Sequence, residues 1–258
     1  MRAFVIFILL CMAAPVWAES IIGRVEKKDT KDYSQVVDAS TGSGIANAKV
    51  ALPAKKYRTT TDEEGRFKLG TKLTAPTIMS VQKDGYRPYS LTLNETSAEK
   101  PLVVGIEKTT PKDVILESDM IHLGDDSFCP DSANAGDFAL RSSGAFYSKD
   151  FKIIELSNKE DAYIVIGSII GIDTLMAREL GQSKVVSAYA SAPQVFINGN
   201  KIAEVKINGD AQEIKIPKPL VNISQYNEIT IKAGKNMSQA AYIDYDDIEF
   251  TNLRIEIK

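Results

Sequence analysis

Gln212-Glu213-Ile214-Lys215-Ile216-Pro217 and Asn227-Glu228-Ile229-Thr230-Ile231-Lys232 each alternate apolar and polar side chains. Successive side chains of a strand point to opposite faces, so the pattern predicts two strands with one face on a core and one in water. Nearby, Asn198-Gly199 and Asn208-Gly209 place Gly where a two-residue hairpin turn demands positive φ, and two hairpins are expected there. Working outward, short β-branched runs occupy 114–116, 137–140, 146–154, 162–170, 195–197, 201–207, 212–216, 228–232 and 248–257. Such a series predicts a large β-sandwich. In the last run Ile248 and Phe250 keep one phase while Leu253, Ile255 and Ile257 keep the other, which predicts a bulge near Thr251-Asn252. The stretch 171–193 breaks the pattern: Leu175, Met176 and Leu180 have helical spacing, and Gly181 is placed to cap a short helix in an inserted loop.

The N-terminal part reads the same way on a smaller scale. Runs at 21–25, 48–52, 67–69, 78–81, 89–93 and 102–106 are divided by Thr41-Gly42-Ser43-Gly44, Asp62-Glu63-Glu64-Gly65 and Lys83-Asp84-Gly85, expected as tight connections between antiparallel strands. Val50, Leu52, Phe67, Leu69, Ile78, Leu91 and Leu93 are the expected inward face of a small sandwich. Between the two series, Lys108-Thr109-Thr110-Pro111-Lys112-Asp113 is polar and broken by proline. The expectation is an all-β chain of two β-sandwich domains, 19–108 and the larger 114–258, joined by a linker at 109–113.

Composition bounds the function. The 258 residues carry 31 Lys and Arg against 34 Asp and Glu, with 44% hydrophobic residues, 16 Gly, 10 Pro and 2 Cys, and a pI near 5.4. That is too apolar for a disordered chain, too poor in cysteine for a disulfide scaffold, and without the basic field of a nucleic-acid binder. Residues 1–18 read as a cleavable signal peptide: Arg2, an apolar run too short to span a bilayer, then Val16-Trp17-Ala18 before Glu19. An exported protein, periplasmic or extracellular, is expected, with no transmembrane segment after cleavage. Loss of Cys11 and Trp17 leaves Cys129 as the remaining thiol, so the core must hold by packing alone.

The order of residues in 21–108 resembles the carboxypeptidase regulatory-like, transthyretin-like domain. The resemblance is carried by Ile22-Gly23-Arg24-Val25, Thr41 to Val50 with its Gly42-Ser43-Gly44 core, Thr59-Thr60-Thr61-Asp62-Glu63-Glu64-Gly65-Arg66-Phe67, and Val81-Gln82-Lys83-Asp84-Gly85-Tyr86-Arg87-Pro88. It implies a spacing or interaction module with no catalytic residues. The charged segment 26–40 is longer than the family's first connection and is expected as an exposed loop. Residues 114–258 are similar to galactose-binding-like jelly rolls of carbohydrate-binding modules, at His122-Leu123-Gly124-Asp125-Asp126, Val195-Phe196-Ile197-Asn198-Gly199 and Asp244-Tyr245-Asp246-Asp247-Ile248-Glu249-Phe250. That resemblance implies a structural Ca²⁺ between the first and last strands, for which Asp125, Asp126, Asp244, Asp246 and Asp247 are the candidate oxygen donors. The same acids also fit solvated turns at strand entries. Sugar-stacking rings would come from Tyr147, Tyr189, Tyr226, Tyr242 or Tyr245, each of which also fits a packed core position.

No enzyme is expected. His122 and Cys129 are too isolated to supply a triad, and neither a phosphate loop nor a nucleophile elbow is present. The reading is a secreted, non-catalytic binding protein whose partner is a glycan or an envelope protein, with no nucleic acid partner. The alternative is an interaction module of the envelope without a small-molecule ligand.

Overall fold

The computed structural model describes residues 33–98, 100–127, 138–183 and 189–258. The expected signal peptide, the run at 21–25 and Cys129 lie outside the described residues. The chain is all-β. Seven strands come first: β1 (Ser34–Asp38), β2 (Lys49–Leu52), β3 (Tyr57–Thr60), β4 (Arg66–Phe67), β5 (Thr77–Gln82), β6 (Tyr89–Leu93) and β7 (Val103–Ile106). Nine follow: β8 (Val114–Glu117), β9 (Ile121–Leu123), β10 (Phe146–Lys152), β11 (Ala162–Ile170), β12 (Gln194–Ile197), β13 (Asn200–Glu204), β14 (Gly209–Ile216), β15 (Tyr226–Lys232) and β16 (Ile248–Ile257).

The first unit has two layers, β4-β1-β7 and β3-β2-β5-β6. Val36, Phe67, Val104 and Ile106 of one layer meet Val50, Leu52, Met79, Val81 and Leu93 of the other in one apolar cluster. Here β1 is a correction. Residues 34–38 lie in the segment expected as an exposed loop, yet they form a buried strand parallel to β7. The acidic and lysine-rich flanks hid a five-residue Ser-Gln-Val-Val-Asp run. Two connections are also corrected. The turns at 41–44 and 62–65 carry the chain from one layer to the other, and among the three expected only Lys83-Asp84-Gly85 joins paired antiparallel strands, β5 and β6. Ile78 is buried but points away from the cluster, because Met79 and Val81 take the inward phase of β5.

The second unit pairs β10-β15-β12-β13 with β14-β11-β16-β8, β9 adding to the end of β16. Ile164, Ile166, Ile169, Val195, Ile197, Ile229, Ile231, Ile248, Phe250, Leu253 and Ile255 fill the space between them. Asn198-Gly199 makes the expected hairpin, with φ 49 and 78. Asn208-Gly209 does not: β13 and β14 belong to different sheets. Its side chain instead accepts from Ile172 N at 2.7 Å and donates to Ile172 O at 3.1 Å, tying the insertion to the sheet. Of the run expected at 137–140, residues 138–140 are irregular and Asp137 lies outside the described residues. In the insertion, α1 (Leu175–Glu179) is capped by Thr174 Oγ1, which accepts from Ala177 N, and Gly181 follows it at φ 70.

β11 is buried on both faces. Its outer face does not meet water, because β6 of the first unit lies against it. Asp210 accepts from Thr92 N and Oγ1 across this seam and from Ser168 Oγ on β11. Arg87 clasps Asp113 at 2.8 and 3.0 Å, and Gln82 Nε2 donates to Ser118 O at 2.6 Å. A Cβ on Gly167 would fall 2.6 Å from both Ser90 Oγ and Asn252 Cβ, so only glycine lets the layers approach so closely. The expected bulge is present as a register shift between Leu253 and Arg254 toward β8. Toward β11 no residue is inserted. Asn252 and Ala211, with φ 56 and 50, flank Gly167 from the two neighbouring strands, and the three strands change phase together.

Candidate functional site

The entry to β16 draws acids into the interior. Asp244 is 1% exposed, and Asp173, Asp246, Asp247 and Glu249 are fully buried. Backbone pairing puts them there: Asp246 N donates to Gly234 O, Asn236 N donates to Asp244 O, and Glu249 pairs with His122 on β9. Gly124, at φ 148, lets β9 run against Asp247; a Cβ there would stand 2.0 Å from Asp247 Oδ1.

Some of these carboxylates are answered. Asp173 receives two bonds from Arg178, at 2.8 and 2.9 Å, and Asp244 Oδ2 accepts from Asn236 Nδ2 at 3.0 Å. Asp247 Oδ1 accepts from His122 Nε2 at 2.9 Å and from Asp126 N at 3.2 Å. Among the described residues, Asp246 Oδ1, Asp247 Oδ2 and both oxygens of Glu249 have no hydrogen-bond partner. A buried, unpaired carboxylate costs several kcal/mol, so such a group takes up a proton or a cation. Burial, reinforced by the charges of Asp173, Asp247 and Asp244, pushes the Asp246 carboxyl well up despite the bond from Asp173 N. Burial likewise raises Glu249 to about 7, with the His122 charge opposing it.

His122 is the cluster's own cation. Its Nδ1 donates to Leu140 O at 2.6 Å, since a carbonyl only accepts, and its Nε2 stands 2.9 Å from Asp247 Oδ1, where the protonated ring donates a second bond. Burial alone would lower its pKa, but Asp247 and the Leu140 carbonyl outweigh that and hold it above its ordinary value. His122, Asp126 and Asp247 lie close enough together to enclose an ion. The orphaned oxygens of Asp246 and Asp247 are donors of the kind a hard cation takes, although Asp246 stands outside that group.

The sequence-derived acids thus divide. Asp244, Asp246 and Asp247 are inside. Asp125 and Asp126 stand on the rim as loop braces: Asp125 accepts from Tyr245 N and Ser127 N, and Asp126 accepts from Ser142 N. Asp173 and Glu249 were missed. Glu249, between Ile248 and Phe250, reads as the wet side of a strand, and nothing in that alternation reveals that the outer face is covered.

The five tyrosines do not converge. Tyr147 packs edge-on against Phe250, with its hydroxyl toward Glu117. Tyr189 lies under Arg178, Tyr226 under Lys152 at the far end of β15, and Tyr242 is exposed. Tyr245 alone of the five lines a cavity of about 430 Å³, with Ala145, Phe146, Ser191, Gln194, Lys232, Ala233 and Lys235. Phe146, 61% exposed on its rim, was missed because an isolated Phe reads as core. The cavity adjoins the acidic cluster through the Lys235–Tyr245 bridge.

Compared with known proteins, the chain matches no family model and no curated protein.

Proposed function

We propose that the chain is an exported, non-catalytic binding protein that recognises a glycan of the cell envelope through its C-terminal unit, a galactose-binding-like jelly roll, with the carboxypeptidase regulatory-like unit as a docked spacer. The observation that carries this reading is the cavity at the end of β15, where the exposed Phe146 ring and Tyr245 stand beside Gln194 and Ser191. A flat apolar ring beside amide and hydroxyl groups suits a sugar, which has one apolar face and a rim of hydroxyls. The non-catalytic reading is supported by His122, which is buried with both nitrogens engaged and so is withheld from any substrate.

In the same reading a structural Ca²⁺ is held by Asp246 and Asp247, with Asp244 beside them, where it supplies positive charge to oxygens that have no other partner. Its role is to fix the loop entering β16 and, through Tyr245, one wall of the cavity.

The test is a glycan array probed with the full chain, repeated with Phe146→Ala and Tyr245→Ala. Specific binding that both variants lose is the expected result, and absence of any glycan binding would overturn the reading. A second reading, an interaction module, is favoured by one feature: Leu175, Met176 and Leu180 are 48%, 46% and 60% exposed around α1. Capture of a protein partner that Met176→Lys abolishes, with no glycan bound, would favour it.

A further inference from the structure

The wall of the cavity is an ordered row. Register pairs Phe146 with Lys232 and Lys232 with Gln194, so the three side chains cross the outer face of β10-β15-β12 side by side. Lys232 Nζ sits 4.6 Å from the ring centre of Phe196, one row further in, and Lys235 Nζ is 5.9 Å from that of Tyr245. Among the described residues neither lysine forms an ion pair, although the chain carries a net charge of −3. The nearest exposed acid on this face is Glu204, which stands opposite Gln194 in the same row and is answered by Lys201 at 2.9 Å; Asp150 and Glu228 face each other one row beyond Thr230, about 13 Å along the strand from Lys232. Lys232 and Lys235 are therefore the cations that line the cavity itself.

We propose that this cavity takes a carboxylate-bearing sugar, a uronic acid or a sialic acid, with its carboxylate between Lys232 and Lys235, its apolar face on Phe146 and its hydroxyls at Gln194 and Ser191. This deepens the glycan reading and rests on it. Two ammonium groups beside a ring provide for charge and for a flat ring face at once, whereas a neutral sugar leaves both lysines unused.

The test is calorimetric titration of the full chain with tetragalacturonate, a hyaluronan tetrasaccharide and sialyllactose, beside the methyl ester of tetragalacturonate and lactose as neutral counterparts. At least one acidic glycan is expected to bind more tightly than its neutral counterpart. Lys232→Met and Lys235→Met should each weaken it on the order of tenfold, with unchanged melting temperature and a reduced salt dependence. Equal binding of neutral and acidic sugars, lost on Phe146→Ala, would overturn the charge assignment while leaving the glycan reading intact. Binding of none of the five would overturn both.

Discussion

The two layered units differ in how they treat polar groups taken into the interior. In the first, Asp38 is 5% exposed and accepts from Ser40 N, Ser40 Oγ, Thr41 N and Tyr86 Oη, and Lys108 is nearby. Thr61, equally hidden, accepts from Ala48 N and donates to Ile45 O. These two groups are closed by its own turns, and the buried side-chain atoms it leaves without a partner among the described residues are two neutral hydroxyls, Ser80 Oγ and Ser90 Oγ. In the second, Asp246, Asp247 and Glu249 keep oxygens with no partner. The same architecture leaves only neutral hydroxyls open in one unit and carboxyl groups in the other. Orphaned acids next to a ligand-sized cavity mark where a fold is completed from outside.

The largest expected effect comes from making the first unit resemble the second. Thr61→Val orphans Ala48 N and Ile45 O together and should cost about 2–4 kcal/mol, measured by urea unfolding. A cost within error of zero would mean that the contrast between the units is only apparent. Next is the seam that joins them. Gly167→Ala drives a methyl into Ser90 and Asn252 and should cost about 1–3 kcal/mol, with faster hydrogen exchange in β6 as well as in β11. Exchange confined to β11 would show that the units are not docked through this face.

The smallest effect is at acid pH. The Ser40 hydroxyl, aided by the backbone and by Tyr86 against the cost of burial, holds the Asp38 carboxyl well below the usual carboxylate range. A group whose pKa is depressed on folding contributes stability that is complete above its unfolded value, near pH 4, and is lost as pH falls toward its folded one. Asp38→Asn should therefore lower the melting temperature at pH 7 and flatten its decline below pH 4. A parallel displacement of the whole curve would assign Asp38 no titrating role.

What the sequence disclosed follows from which interactions were local. Asn198-Gly199 was legible because a primed turn is set by two residues. Asn208-Gly209 has the same letters but spends its amide on Ile172, a contact 36 residues away. The apolar run at 162–170 was legible as a strand, but burial of its second face by the first unit was not, because that cover comes from residues distant in sequence. Glu249 looked wet for a similar reason, since its neighbours, His122 and Ile170, are distant in sequence. At the site, Asp244, Asp246 and Asp247 were found by clustering, whereas Asp173 enters from the insertion and Phe146 from an edge strand. Selecting rings by residue type gave five tyrosines, of which register and layer leave Tyr245 at the cavity.

The central claim is that the second unit is completed by a divalent cation at Asp246 and Asp247. The most direct measurement is the melting temperature of the chelated full chain with and without calcium, beside Asp246→Asn and Asp247→Asn. Calcium at a hundred times its dissociation constant should add about 2.7 kcal/mol to the wild type and nothing to the variants, and in chelator Asp247→Asn, which leaves the buried His122 without its carboxylate, should be the less stable of the two variants. An unchanged wild-type melting temperature at millimolar calcium, or an equal rise in the variants, would contradict it.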